Sequence, residues 1–202
     1  MTTLDGMLDG VRVMVILRAL GPQQTVERAE AAWAAGVPLI EVTIGTPDDV
    51  PSLRAAVEAS RERGLGVVAG TVVTPEAVRV AADAGAVFTV APGLDPDVVA
   101  ASAEIGLPHV PGVATPSEVH RAVHLGCRWL KAFPAVSLGP QWFSAIRGPF
   151  PQVRFVATGG LNPVNAGAFL DAGAAAVGLG SAGDDPAALA ELAGARPGAL
   201  SR

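Results

Sequence analysis

One unit recurs along this chain: a short apolar run, a turn of Gly, Pro or Thr, and an Ala-rich stretch of helical pattern closed by Gly. It occurs eight times in 202 residues. The apolar runs begin near Val11, Leu39, Gly66, Val87, His109, Trp129, Arg154 and Ala175. Helical stretches lie between them near 25–35, 48–63, 75–84, 96–105, 116–125, 141–147, 163–172 and 186–193. Several open on a capping residue followed by Pro, as in "TPEAV", "DPDVV", "TPSEV" and "NPVNA". Their ends read "AAG", "DAG", "EIG", "HLG" and "DAG", with Gly placed for a left-handed cap. Eight alternating strands and helices in so short a chain fit a compact (β/α)8 TIM barrel, one α/β domain spanning residues 1–202 with a loosely ordered tail from about 195. The competing arrangement is an open doubly wound sheet.

Composition narrows the function classes. Charged residues make up 16% and hydrophobic residues 50%, with a mean hydropathy of +0.42, which describes a chain with a large core. A net charge of −5 and the lack of any Lys/Arg cluster remove the electrostatic footprint of a nucleic-acid binder. Apolar runs such as "VMVIL" fall short of a membrane span, and the N-terminus has no signal pattern, so a soluble cytoplasmic protein is expected. Cys127 is the single cysteine and reads as core packing. His120 and His124 are spaced i, i+4 but have no evident third ligand, and His109 opens a strand on the face away from the barrel interior. Neither a metal nor a cofactor is expected.

Polar residues collect where strands end. Arg18 ends the first strand, Glu41 and Thr43 the second; Thr71 follows the third; Lys131 sits in the second half of the sixth; Gly159, Gly160, Gly180 and Ser181 follow the seventh and eighth. In a barrel those ends form one face, where active sites of this fold are built. Polar residues also end strands because loops are wet, but a Glu, an Arg and a Lys inside apolar strands are harder to dismiss.

Lys131 is the only lysine among 14 Lys and Arg residues. Alternation in "WLKAF" puts it on one face with Trp129 and Phe133, poor flanks for a solvated ammonium. A buried amine can act as a nucleophile and form an imine; a guanidinium cannot. In "LIEVTIGT", Glu41 and Thr43 share a face while Ile40 and Val42 take the other, so the carboxylate points into the barrel and needs a partner in Lys131 or Arg18. That pairing serves either structure alone or proton transfer beside an imine. The turns "ATGGLN" and "VGLGS" let backbone N–H groups approach an anion, as phosphate loops do after these strands, or simply cap strands.

Taken together, "LIEVTIGTPD", "VVAGTVVTPEAV", "GAVFTVAPGLDP", "VPGVATPSEV", "LKAFPA", "GPFPQVRFVATGGLN" and "VGLGS" resemble the 2-keto-3-deoxy-6-phosphogluconate aldolase family, which includes 4-hydroxy-2-oxoglutarate aldolases. The resemblance runs from about Val11 to Ser181 with every motif in order. It implies a homotrimeric (β/α)8 barrel and a class I lyase of the Entner-Doudoroff type. Such an enzyme splits a 2-keto-3-deoxy sugar acid phosphate into pyruvate and glyceraldehyde 3-phosphate. By resemblance, Lys131 takes the place of the Schiff-base lysine and Glu41 that of the general acid/base, acting partly through water. Thr71 matches a threonine near the pyruvyl group; Phe133 and Pro134 shape the pocket, with Thr43 beside them; Gly159, Gly160, Gly180 and Ser181 match the phosphate loops. Gly45 stands where many members carry an Arg for the substrate carboxylate, and Arg18 in "ILRA" is the candidate replacement. Ala157 and Ala132 replace a usual Pro and a bulkier residue. The same chemistry on 4-hydroxy-2-oxoglutarate or 2-keto-3-deoxy-6-phosphogalactonate stays open at this level. So do an imine-free phosphosugar isomerase or synthase with Glu41 as base, and a non-catalytic barrel subunit.

Overall fold

The computed structural model describes residues 3–180 and 185–194. Its strands are β1 (Val13–Leu17), β2 (Leu39–Thr43), β3 (Val67–Gly70), β4 (Thr89–Val90), β5 (His109–Val110), β6 (Gly112–Val113), β7 (Trp129–Ala132), β8 (Arg154–Thr158) and β9 (Ala176–Leu179). All pair in parallel, in the order β5-β4-β3-β2-β1-β9-β8-β7-β6. β5 and β6 are two pieces of one chain segment on either side of Pro111, one pairing with β4 and the other with β7. Pro111 has no N–H for the ladder, but its carbonyl accepts from Lys131 N at 2.8 Å, so the ring of strands closes through it. This nearly closed parallel barrel is the expected (β/α)8 form; the open sheet is set aside.

The helices are α1 (Leu4–Leu8), α2 (Gly21–Ala34), α3 (Val50–Arg61), α4 (Pro75–Ala84), α5 (Pro96–Ile105), α6 (Pro116–His124), α7 (Ala135–Leu138), α8 (Pro140–Arg147), α9 (Pro163–Asp171) and α10 (Pro186–Gly194). The capping signals hold: Thr74, Asp95, Thr115 and Asn162 each accept a first-turn N–H on the side chain. Gly85 and Gly106 end their helices in the left-handed region, at φ 88° and 74°. Two boundaries move. α2 starts at Gly21 instead of near 25, and the expected 48–63 helix divides into a 3-10 turn at Pro47–Asp49 and α3. α1 and α7 were not anticipated, because four or five residues are too few to show a period. The expected tail from about 195 lies outside the described residues.

Alternation along the strands separates two cores. Outward residues such as Val15, Ile40, Val42 and Leu130 pack under the helices in the larger cluster. Inward residues at the strand starts, among them Met14, Leu39, Val68, Phe88, Trp129 and Val156, form a second cluster inside the barrel. α1 seals this end: Leu8 is buried in the inner cluster, Leu4 and Met7 pack against it, and Trp129 Nε1 donates to Asp5 Oδ1 at 2.8 Å. With the bottom filled by apolar side chains, the cavity that reaches Lys131 lies toward the strand ends.

Leu8→Ala should remove about 3 kcal/mol of unfolding free energy, the usual scale for a buried Leu truncation. Denaturant melts would show the loss. Turnover per folded molecule should stay unchanged, because Leu8 lies at the end of the barrel away from Lys131.

Candidate active site

Two inward positions meet above the apolar layer. In β2 every residue is buried, and Glu41 is the inward one between Ile40 and Val42. In β7, Trp129 belongs to the inner cluster and Leu130 and Ala132 to the outer one, so Lys131 faces in. Lys131 Nζ stands 3.8 Å from Glu41 Oε1, with side-chain exposures of 6% and 0%. That is an ion-pair contact too long for a direct hydrogen bond. Neither Glu41 oxygen has a hydrogen-bond partner among the described residues. Burial pushes the Glu41 carboxyl above its ordinary range, and the charges of Lys131 and Arg18 pull it partly back. Gly70 makes room for the carboxylate, since a Cβ there would overlap it.

Lys131 opens on a cavity of about 440 Å³ at the C-terminal mouth of the barrel. Arg18, Phe133, Gly159, Gly160 and Gly180 line it as well. The ring of Phe133 lies 5.3 Å from Lys131 Nζ, close enough for its π face to favour the cation. Gly159 and Gly160 have φ of 96° and 79°, a turn that side-chain-bearing residues rarely make. Arg18 falls one residue past β1 and is exposed at the mouth. Ser181 lies outside the described residues.

The other expected positions sit around the cavity without lining it. Thr43 is buried at the end of β2, and Pro134 is exposed beyond β7. Thr71 is half-buried just past β3 with φ 62°, a left-handed conformation that strains a β-branched residue; Ala19, just past β1, has φ 53°. Three residues escaped sequence reasoning. Thr158 lines the cavity with a buried hydroxyl that has no partner among the described residues. Alternation in "RFVAT" already places it inward with Val156. Arg28 of α2 also lines the cavity, and no local signal marks it. Gly70 is recognisable only once the Glu41 side chain is placed.

The histidines and the cysteine stay outside this chemistry. His120 and His124 are exposed, with rings stacked 4.4 Å apart, and no group of three or more potential ligands exists among the described residues. His109 Nδ1 lies 2.8 Å from Thr89 Oγ1, and burial pushes its imidazole down to about 4. Burial likewise pushes the half-buried Cys127 thiol up to about 11. No described helix is long and apolar enough to cross a membrane. A buried amine facing a cavity, with a carboxylate beside it, can form an imine with a carbonyl and move protons around it.

Residues 4–191 match the family model for KDPG and KHG aldolase. The chain is 33% identical over 170 residues to 2-dehydro-3-deoxy-6-phosphogalactonate aldolase of Escherichia coli (strain K12), covering 84% of this chain and 82% of that one. To the KHG/KDPG aldolase of the same strain it is 35% identical over 165 residues, covering 81% and 76%. Among solved structures it is similar to KDPG aldolase from Legionella pneumophila, with pyruvate captured at low pH as a covalent carbinolamine intermediate. There the TM-score is 0.84 at 30% identity, covering 95% and 97% of the two chains.

Lys131→Met should strand the Glu41 carboxylate. A carboxyl raised above its unfolded-chain value has its stability contribution in full below that value and loses it as pH rises through the folded one. The deficit of Lys131→Met against the parent should therefore grow from pH 4 to pH 7, reaching about 3 kcal/mol, the scale of a broken buried pair. Urea melts at both pH values check this, and adding Glu41→Gln should flatten the pH dependence.

Proposed function

The chain belongs to the KDPG and KHG aldolase family, as a class I aldolase, and on that footing we propose that it cleaves 2-keto-3-deoxy-6-phosphogluconate to pyruvate and glyceraldehyde 3-phosphate through an imine on Lys131. One observation carries the reading. Among the described residues Lys131 is the only buried cation and Glu41 the only buried acid; they stand 3.8 Å apart, and Lys131 lines the cavity.

The neutral amine of Lys131 adds to the C2 carbonyl, and loss of water leaves a protonated imine. Glu41, directly or through a water, takes the C4 hydroxyl proton. The C3–C4 bond then breaks: its electron pair moves into the imine to give an enamine, and the aldehyde departs. Protonation at C3 and hydrolysis return pyruvate and the free amine. The raised affinity of Glu41 for a proton suits it to both directions of transfer.

Arg18 holds the substrate carboxylate in place of the family Arg, whose position is Gly45; a Cβ there would have its nearest neighbours 3.9 Å away. Thr43 and Thr71 border the pyruvyl group, and Phe133 and Pro134 wall the imine. Gly159, Gly160, Gly180 and Ser181 receive the phosphate. The missing side chain at Gly45 also favours a second reading, the same chemistry on 2-keto-3-deoxy-6-phosphogalactonate or 4-hydroxy-2-oxoglutarate. The assembly we propose is a cytoplasmic homotrimer, which light scattering on the purified protein would test.

Borohydride reduction in the presence of pyruvate should leave an adduct on Lys131, located by peptide mass mapping. Lys131→Arg should fold, form no adduct and turn over nothing. Glu41→Gln should still trap pyruvate, more slowly, while kcat falls by about 10²-fold or more. Comparing kcat/KM on the three substrates decides between the two readings.

A further inference from the structure

A second opening lies at the end of the barrel where the strands start, away from Lys131. It is a cleft of about 370 Å³ between the C-terminal half of α5 and the segment 125–129 that leads from α6 into β7. Val99, Ala103, Leu107 and Leu125 give it apolar walls, and Leu4 of α1 joins them. Pockets that hold small organic molecules combine such walls with a few polar groups.

Two of the polar groups here are already engaged. Ser102 Oγ donates to Leu107 O, and Asp5 Oδ1 accepts the Trp129 indole N–H. His109 is different: it lines the cleft, is 7% exposed, and its Nε2 has no partner among the described residues. The opposite side of the ring decides what that nitrogen carries. Thr89 Oγ1 lies 2.8 Å from His109 Nδ1 but 3.4 Å from Pro108 O, and that carbonyl already accepts Thr89 N–H at 2.9 Å. The hydroxyl hydrogen therefore goes to Nδ1. Burial keeps the ring neutral, with its pKa pushed down to about 4, so its own proton sits on Nε2. The cleft wall thus holds an orphaned donor, and a guest that brings an acceptor relieves the cost of burying it. Arg128, exposed at the same cleft, adds a positive charge.

We propose that this cleft binds a small organic monocarboxylate with an apolar body. The carboxylate takes the His109 Nε2–H and the Arg128 guanidinium, and the body lies against Val99, Ala103, Leu107 and Leu125. An ionised acceptor makes the stronger hydrogen bond to such a donor, and a guanidinium matches its two oxygens. Asp5 does not oppose this at close range through the oxygen already bonded to Trp129. The site is independent of the imine chemistry, which occupies the other end of the barrel.

Cys127 reports on the site, because it is the only cysteine of the chain, is half-buried and lines the cleft. Benzoate is the probe. At ten times its Kd about nine sites in ten are filled, so alkylation of Cys127 by iodoacetamide, read by intact mass, should slow about tenfold. Benzyl alcohol, with the same ring and no carboxylate, should need a concentration about tenfold higher for equal protection. Arg128→Gln should weaken the benzoate effect by a similar factor, and so should His109→Phe, which keeps a ring without the donor. Should His109→Phe fail to fold in a thermal melt, the surface variant Arg128→Gln still carries the test. Nitrogen NMR of the imidazole should find the His109 proton on Nε2. An alkylation rate that does not change up to about 50 mM benzoate, weaker than any specific site of this kind, would overturn the proposal. Equal protection by benzyl alcohol, a full response in Arg128→Gln, or a proton on Nδ1 would overturn the carboxylate assignment.

Discussion

The interior of a closed parallel barrel offers an ionised side chain no water, so the two charges placed there must answer each other. Lys131 and Glu41 come from strands on different parts of the ring, and only closure of the sheet sets them 3.8 Å apart. Other features follow from that contact. Gly70 must be a glycine because the carboxylate occupies the space of its side chain. The layer beneath must be apolar and filled, as Met14, Leu39, Phe88 and Trp129 fill it, or water would enter and screen the pair. The pair is weakly connected for buried charges, since neither carboxylate oxygen is hydrogen-bonded within the described protein. A fully satisfied carboxylate would be held ionised; this one is left ready to take a proton.

Above the pair the structure changes character. Backbone strain at Ala19 and Thr71, the positive φ angles of Gly159 and Gly160, and the exposed Arg18 all lie just past strand ends. Rigid strands beneath allow these segments to hold uncommon conformations. The barrel thus divides its work by height: apolar packing at the strand starts, the reactive pair above it, and recognition at the mouth.

Much of this was legible from the chain because its signals are local. A Thr, Asp or Asn before Pro marks a helix start through bonds made within one turn, and Thr74, Asp95, Thr115 and Asn162 all form them. Period-two alternation placed Glu41 and Lys131 inward without any knowledge of their partners. Where the reading fell short, the determinant was not local. α1 forms because the barrel bottom needs a plug, and nothing in five residues announces that. Thr158 could have been found by carrying the alternation one residue further. Arg28 could not, because which face of α2 borders the cavity depends on how that helix packs beside β1 and α10.

The sequence by itself determined the repeating unit, the inward placement of its lone lysine and of Glu41, and the gathering of polar residues at one set of strand ends, since each follows from a fixed backbone period. Tertiary structure alone decided that the amine and carboxylate meet, that Thr43 and Thr71 stand outside the cavity that Arg18 and Thr158 line, and that this cavity continues past β1 to Arg28. Those outcomes depend on distances between segments far apart in the chain, which are set by closure of the sheet and the docking of helices against it.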